Sequence, residues 1–153
     1  MRKRVKDLVR ELPGPLSYCS CTQLCSTPNI DHLVPKKLLK SSVATDLVKT
    51  SFNDMHNLYS ICSKLNTDKG CSVLGQTYYP KDMNHVSYLA RSALYMDWKY
   101  SLDVDLDMIF RWKYMAVQFD PCEFELERNE LIKEFQGNDN PFVSDFPSKI
   151  VYY

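Results

Sequence analysis

Hydrophobic positions along this chain change period from one region to the next. Val5, Leu8, Val9 and Leu12 fall at i, i+3, i+4 and i+7, the spacing of a single helical face, and predict an amphipathic helix over 2–12. Pro13-Gly14-Pro15 stops it, because proline lacks the amide a helix needs. From Leu16 to Leu39 the pattern is short and irregular, with a strand predicted over 29–34 and ended by Pro35. A polar stretch over 40–50 leads to a second apolar piece over 55–59, read as another strand. Ser60 is placed to cap a short helix that carries Asn66 and stops at Gly70.

The rest of the chain follows helical spacing. Val86, Leu89, Ala90, Ala93, Met96 and Tyr100 mark one helix between Pro80 and Ser101. In the next, Leu106, Ile109 and Phe110 form one stripe and Met108, Trp112, Met115 and Phe119 another. Pro121 opens a third helical segment, with Phe124, Leu131, Ile132 and Phe135 expected inward and Gly137 closing it. These stripes read as core. The pattern predicts an α+β fold with a mostly helical C-terminal half. With no internal repeat, it also predicts a single domain over 1–153, with core motifs at 29–70 and a helical part at 82–142.

Composition narrows the classes of function. Hydrophobic residues make up 44% and charged residues 25%, ordinary values for a globular protein. No apolar run is long enough to cross a bilayer, so no membrane partner is expected. The basic start Met-Arg-Lys-Arg is followed by no apolar segment; the expectation is an intracellular protein, or a secreted one if the sequence is a processed form. Formal net charge is zero, yet residues 1–50 carry nine Lys/Arg against four Asp/Glu, while 120–140 carries seven acids against two bases. Such asymmetry is compatible with a basic working face, and equally with two solvated faces of opposite sign. Cys19, Cys21 and Cys25, followed by His32, imitate a zinc site without the paired C-x-x-C spacing, and structural zinc is not expected.

Three polar clusters hold the chemistry. Asp31-His32 stands at the end of the first predicted strand, Asp54-Met55-His56-Asn57 lies at the second, and Asn66 rides the short helix. Adjacent strand side chains point to opposite faces, so Asp31 and His32 reach different partners unless the strand bends there.

Taken in order, these clusters resemble the endonuclease I family. That family's Glu-His-x-x-Pro, Asp-Leu-His-Asn-Leu and Asn-x-Asp-Arg appear as Asp31-His32-Leu33-Val34-Pro35, Asp54-Met55-His56-Asn57-Leu58 and Asn66-Thr67-Asp68-Lys69. Its Ala-Arg-Ala-x-x-Tyr-Met appears as Ala90-Arg91-Ser92-Ala93-Leu94-Tyr95-Met96. Its closing segments appear as Glu127-Arg128-Asn129-Glu130 and Gln136-Gly137-Asn138-Asp139-Asn140-Pro141-Phe142. The chain departs from the pattern at Asp31, which replaces a glutamate, and at Lys69, which replaces an arginine.

The resemblance implies a His-Me finger (ββα-metal) core surrounded by helices, and an endonuclease that cuts DNA or RNA with little sequence preference. It makes His32 the general base and gives Asp31 and Asn66 one divalent cation, Mg2+ with Mn2+ or Ca2+ as substitutes. A neutral imidazole can take a proton from water near physiological pH, and a hard cation can neutralise phosphate charge. His56 and Asn57 are expected as supporting residues that orient His32 or the metal loop. Arg91, Lys69 and Lys36 are candidate nucleic-acid contacts. For Arg91 an ion pair with an acid of the last predicted helix is an equal alternative. The Gln136–Phe142 segment also reads as a plain helix stop and turn. The protein is expected to be a monomer. The competing expectation is an inactive structural or nucleic-acid-associated protein on the same scaffold.

Overall fold

The computed structural model describes residues 5–13, 28–80 and 83–153. The expectations for residues 2–4 and for the Cys19, Cys21 and Cys25 cluster lie outside these. The fold is α+β, predominantly helical, with one small antiparallel sheet.

The sheet joins β1 (Pro28–His32) to β2 (Leu58–Cys62), in a register running from Pro28 opposite Cys62 to His32 opposite Leu58. Both strands differ from the pattern's prediction. β1 stops at His32 because Asn57 captures the next two residues: its backbone carbonyl accepts from the Leu33 amide at 3.0 Å. Its side chain also accepts from the Val34 amide at 2.7 Å and donates to the Val34 carbonyl at 3.1 Å. β2 starts late because Met55–Asn57 winds into a 3-10 turn, capped by the Asp54 carboxylate, which accepts the His56 amide at 3.1 Å.

Helix α4 (Ser63–Lys69) follows β2 directly and packs against both strands. Its start is Cys62 and not Ser60, which pairs in the sheet opposite Ile30. Between the strands, the stretch expected to be polar loop contains α2 (Lys36–Ser42) and α3 (Val48–Phe52). Adjacent Leu38 and Leu39 anchor α2, too short an apolar pair to announce a helix by periodicity.

Helix α1 (Val5–Glu11) lies over a minor core formed by Val9, Ile30, Met55, Leu58 and Ile132. The main core surrounds α5 (Met83–Tyr100), whose Leu89, Ala90, Ala93, Leu94 and Met96 are fully enclosed. Helix α6 (Leu106–Ala116) is capped by Asp105, which accepts the Met108 amide at 2.7 Å. It buries Met108, Trp112 and Ala116 against α5, and the Trp112 indole donates to the Leu74 carbonyl at 2.8 Å. Of the stripe expected beside it only Ile109 packs on the core, while Leu106 is 74% and Phe110 64% exposed; Phe119, expected with Trp112, lies exposed beyond the helix.

In α7 (Glu123–Gln136) the inward face is only partly the apolar one expected: Ile132 is fully buried and Leu131 half-buried, as predicted. Phe124 and Phe135 are exposed, while Glu125, Arg128, Asn129 and Ile132 point in. Polar side chains can occupy that face because each finds a partner there, and those partners outweigh the pull of two phenyl rings. Gly137 closes α7 at φ 90°, a left-handed conformation that a side chain would strain. Pro141 does not merely block continuation. It opens α8 (Pro141–Ser144) at a position where its missing amide costs nothing, with Asn140 as cap, and α9 (Ser148–Tyr152) follows. No helix among the described residues is long and apolar enough to cross a membrane.

Candidate functional site

Asp31, His32 and Asn66 line one groove of about 230 Å3, whose wall also carries Lys6, Lys36 and Lys37. The end of β1 makes this possible. Within a continued strand Asp31 and His32 would face opposite ways, but β1 terminates at His32 and both side chains reach the same space. Helix α4, packed on the sheet, supplies Asn66 from the other side.

The His32 ring is held by its Nε2, 2.9 Å from the backbone carbonyl of Phe52 in α3. A carbonyl only accepts, so Nε2 carries the proton and Nδ1 keeps its lone pair. The Phe52 ring meets the imidazole edge-on with centroids 6.2 Å apart. Burial lowers the pKa of His32; the Phe52 carbonyl works against this and the charge of Lys36 reinforces it. The resulting group is a neutral imidazole of fixed tautomer, which is a Brønsted base.

Asp31 is buried and does not stand alone. The ammonium of Lys69 lies 3.2 Å from each of its carboxylate oxygens and donates to the His32 carbonyl at 3.1 Å. Both side chains are enclosed, at 1% exposure for Lys69 and 4% for Asp31. The two positions that depart from the family pattern therefore contact each other. Lys69, expected as a nucleic-acid contact, instead spends its ammonium on the Asp31 carboxylate and the His32 carbonyl.

Asn66 donates through Nδ2 to the Ile30 carbonyl at 3.5 Å, leaving Oδ1 as its oxygen donor. One carboxylate and one amide oxygen on a single groove match the hard donors that Mg2+ prefers, and they leave positions for water and phosphate. The donor atoms fit such an ion in kind, with Lys69 already sharing the carboxylate. Among the described residues there is no group of three or more His, Cys, Asp or Glu side chains that could hold a metal ion.

Lys36 is exposed on α2, with its ammonium 5.3 Å from the centre of the Phe52 ring and at the groove edge. Arg91 has the second of its two expected roles. It is buried, paired to Glu125 of α7 by bonds of 2.6 and 2.5 Å, and donates to the carbonyls of Ala116 and Phe119. A phosphate clamp needs an open guanidinium, so that expectation is corrected. Asn57 organises the loop after β1, as its two bonds to Val34 require.

His56 is turned toward a different network. Its Nε2 lies 3.1 Å from the Asn138 carbonyl and its ring centroid 4.4 Å from that of Tyr95. Burial pushes its pKa down to about 4, although Asp54 pulls the other way. The hub of the network is Asp54, a residue quoted in the motif and given no role from sequence. One carboxylate oxygen accepts from Tyr95, Lys99 and Tyr100 at 2.8–2.9 Å, and the other from His56 and Gln136. Gln136 also accepts the Met55 amide at 2.8 Å, which latches the end of α7 to the 3-10 turn. Motif order was the available signal, since Asp54 and Gln136 sit in separate quoted segments.

No family model matches the chain, and no curated protein matches it either.

Proposed function

We propose that this chain is a metal-dependent endonuclease of the endonuclease I type, hydrolysing phosphodiester bonds of DNA or RNA on a His-Me finger (ββα-metal) core. The observation that carries the reading is the anchoring of His32 Nε2 on the Phe52 carbonyl, in the groove that Asp31 and Asn66 share. An antiparallel strand pair followed directly by a helix packed on it supports the same reading. So does the row of lysines on the groove wall, suited to phosphate.

In this mechanism Lys36 and Lys37 attract the backbone and hold a phosphate beside His32. Nδ1 of His32 takes a proton from water as the water oxygen bonds to phosphorus. The bond from phosphorus to the 3′ oxygen breaks, giving a 5′-phosphate and, after protonation by solvent, a 3′-hydroxyl. Asp31 and Asn66 would hold the divalent cation, whose chemistry is to neutralise charge on the phosphate and the leaving oxygen. His32 can act only while neutral, and its lowered pKa keeps it so.

A second reading, a nucleic-acid-binding protein on the same scaffold without catalysis, is favoured by the Lys69 ammonium on Asp31. Supercoiled DNA separates the two. Nicking with Mg2+ or Mn2+, abolished by EDTA and by His32→Ala, supports the nuclease. DNA binding without nicking under any metal supports the scaffold protein. Nicking that survives both EDTA and His32→Ala would overturn the assignment of His32.

A further inference from the structure

Asp31 is the only acid among the described residues that line the groove, and its charge is already matched by Lys69. The remaining charges on the wall, Lys6, Lys36 and Lys37, are all positive. A divalent cation approaching this groove without substrate meets a neutralised carboxylate, one amide and three ammonium groups. Because Lys69 sits equally close to both oxygens of Asp31, the cation cannot take the carboxylate with both oxygens without displacing that ammonium. A phosphodiester meets the opposite situation, a wall that carries three lysines. Once a phosphate is in place, it adds negative charge and further hard oxygens, the ligands Mg2+ ordinarily completes its shell with.

We propose that the groove takes the phosphodiester first and admits its divalent cation only together with it, Lys69 being the residue that keeps the metal out of the empty groove. This rests on the nuclease reading and adds to it an order of binding. Linkage makes the effect reciprocal: the factor by which nucleic acid raises metal affinity is the factor by which metal raises nucleic-acid affinity.

The experiment uses His32→Ala protein to prevent turnover, with a short DNA duplex and Mn2+ as the probes. Bound Mn2+ is read from loss of the free-ion paramagnetic resonance signal, with and without DNA, after subtraction of a DNA-only titration. DNA affinity is read by fluorescence anisotropy in EDTA and in Mn2+. The expected result is DNA binding that persists in EDTA and Mn2+ affinity raised at least ~10-fold by DNA. Adding Asp31→Asn should remove the DNA-dependent Mn2+, and adding Lys69→Gln should let Mn2+ bind without DNA. Equal Mn2+ affinity with and without DNA, in protein that still binds DNA, overturns the order of binding and leaves the nuclease reading intact. Absence of DNA binding with or without Mn2+ overturns both. The first titration decides the matter even if Lys69→Gln does not fold.

Discussion

Arg91 of α5 and Glu125 of α7 are joined by a two-pronged ion pair in the protein interior, with side chains 1% and 4% exposed. The guanidinium fork also satisfies the carbonyls of Ala116 and Phe119 at the end of α6, so one side chain ties three helices together. Removing it would strand a buried carboxylate and two carbonyls. Arg91→Ala is expected to lose about 3–5 kcal/mol of stability, read from urea unfolding. Arg91→Lys should lose a large part of that, because an ammonium cannot reproduce the planar fork. If Arg91→Ala unfolds with the midpoint of the unaltered protein, the pair does not hold α5 to α7.

Acid should destabilise the fold through His56. In the unfolded chain this imidazole titrates near 6.5, and in the fold burial holds it down to about 4. Between those values the unfolded state binds a proton that the folded state refuses, so stability falls as pH drops through that window and is fully present above it. The loss amounts to about 3 kcal/mol by pH 4. Asp54 adds a loss of the same sign at lower pH. Burial raises its carboxyl, but His56, Lys99 and Gln136 outweigh this and hold it below the ordinary range. Denaturant midpoints from pH 8 to pH 4 check the prediction, and a His56→Gln variant should show a flatter profile.

The elements legible in the sequence were those whose burial is apolar. Helix α5 could be read from Val86, Leu89, Ala93 and Met96 because those side chains are what it buries. Helix α7 was legible as a helix and at Ile132 in its facing, but hydrogen bonding, to which periodicity is blind, turns Glu125, Arg128 and Asn129 inward in place of Phe124 and Phe135. Helices α2 and α3 are held by too few apolar anchors to show a period. At the groove, the sequence order brought Asp31, His32 and Asn66 together as expected. It could not show that Lys69 folds back onto Asp31, since that contact depends on α4 packing against the strand that carries Asp31.

Lys36 is the groove residue whose role should be purely electrostatic. It is exposed on α2, and its one described ring contact is with Phe52, so Lys36→Ala should leave stability within about 0.5 kcal/mol of the parent. If it contacts a backbone phosphate, the slope of log K against log salt for DNA binding should become shallower by about 1. The affinity loss should be the same for unrelated DNA sequences. An unchanged slope would remove Lys36 from the nucleic-acid path.

On the nuclease reading, Asn57 tests whether the loop after β1 governs the position of His32. It is fully buried and spends its side chain on Val34 alone, accepting from the amide at 2.7 Å and donating to the carbonyl at 3.1 Å. Asn57→Ala leaves both backbone groups unsatisfied in the interior, at about 2–4 kcal/mol together. The loop it releases runs directly from His32 to the Lys36 helix, so the imidazole loses part of its support while the charges on the groove wall remain. For the folded fraction at low temperature, DNA affinity should therefore change little and the cleavage rate of bound DNA should fall by at least ~10-fold, as expected when an interaction made only in the transition state is lost. Single-turnover cleavage at saturating protein separates the two quantities. A variant that binds weakly but cleaves bound DNA at the parent rate would show that Asn57 shapes the groove and not the alignment of His32.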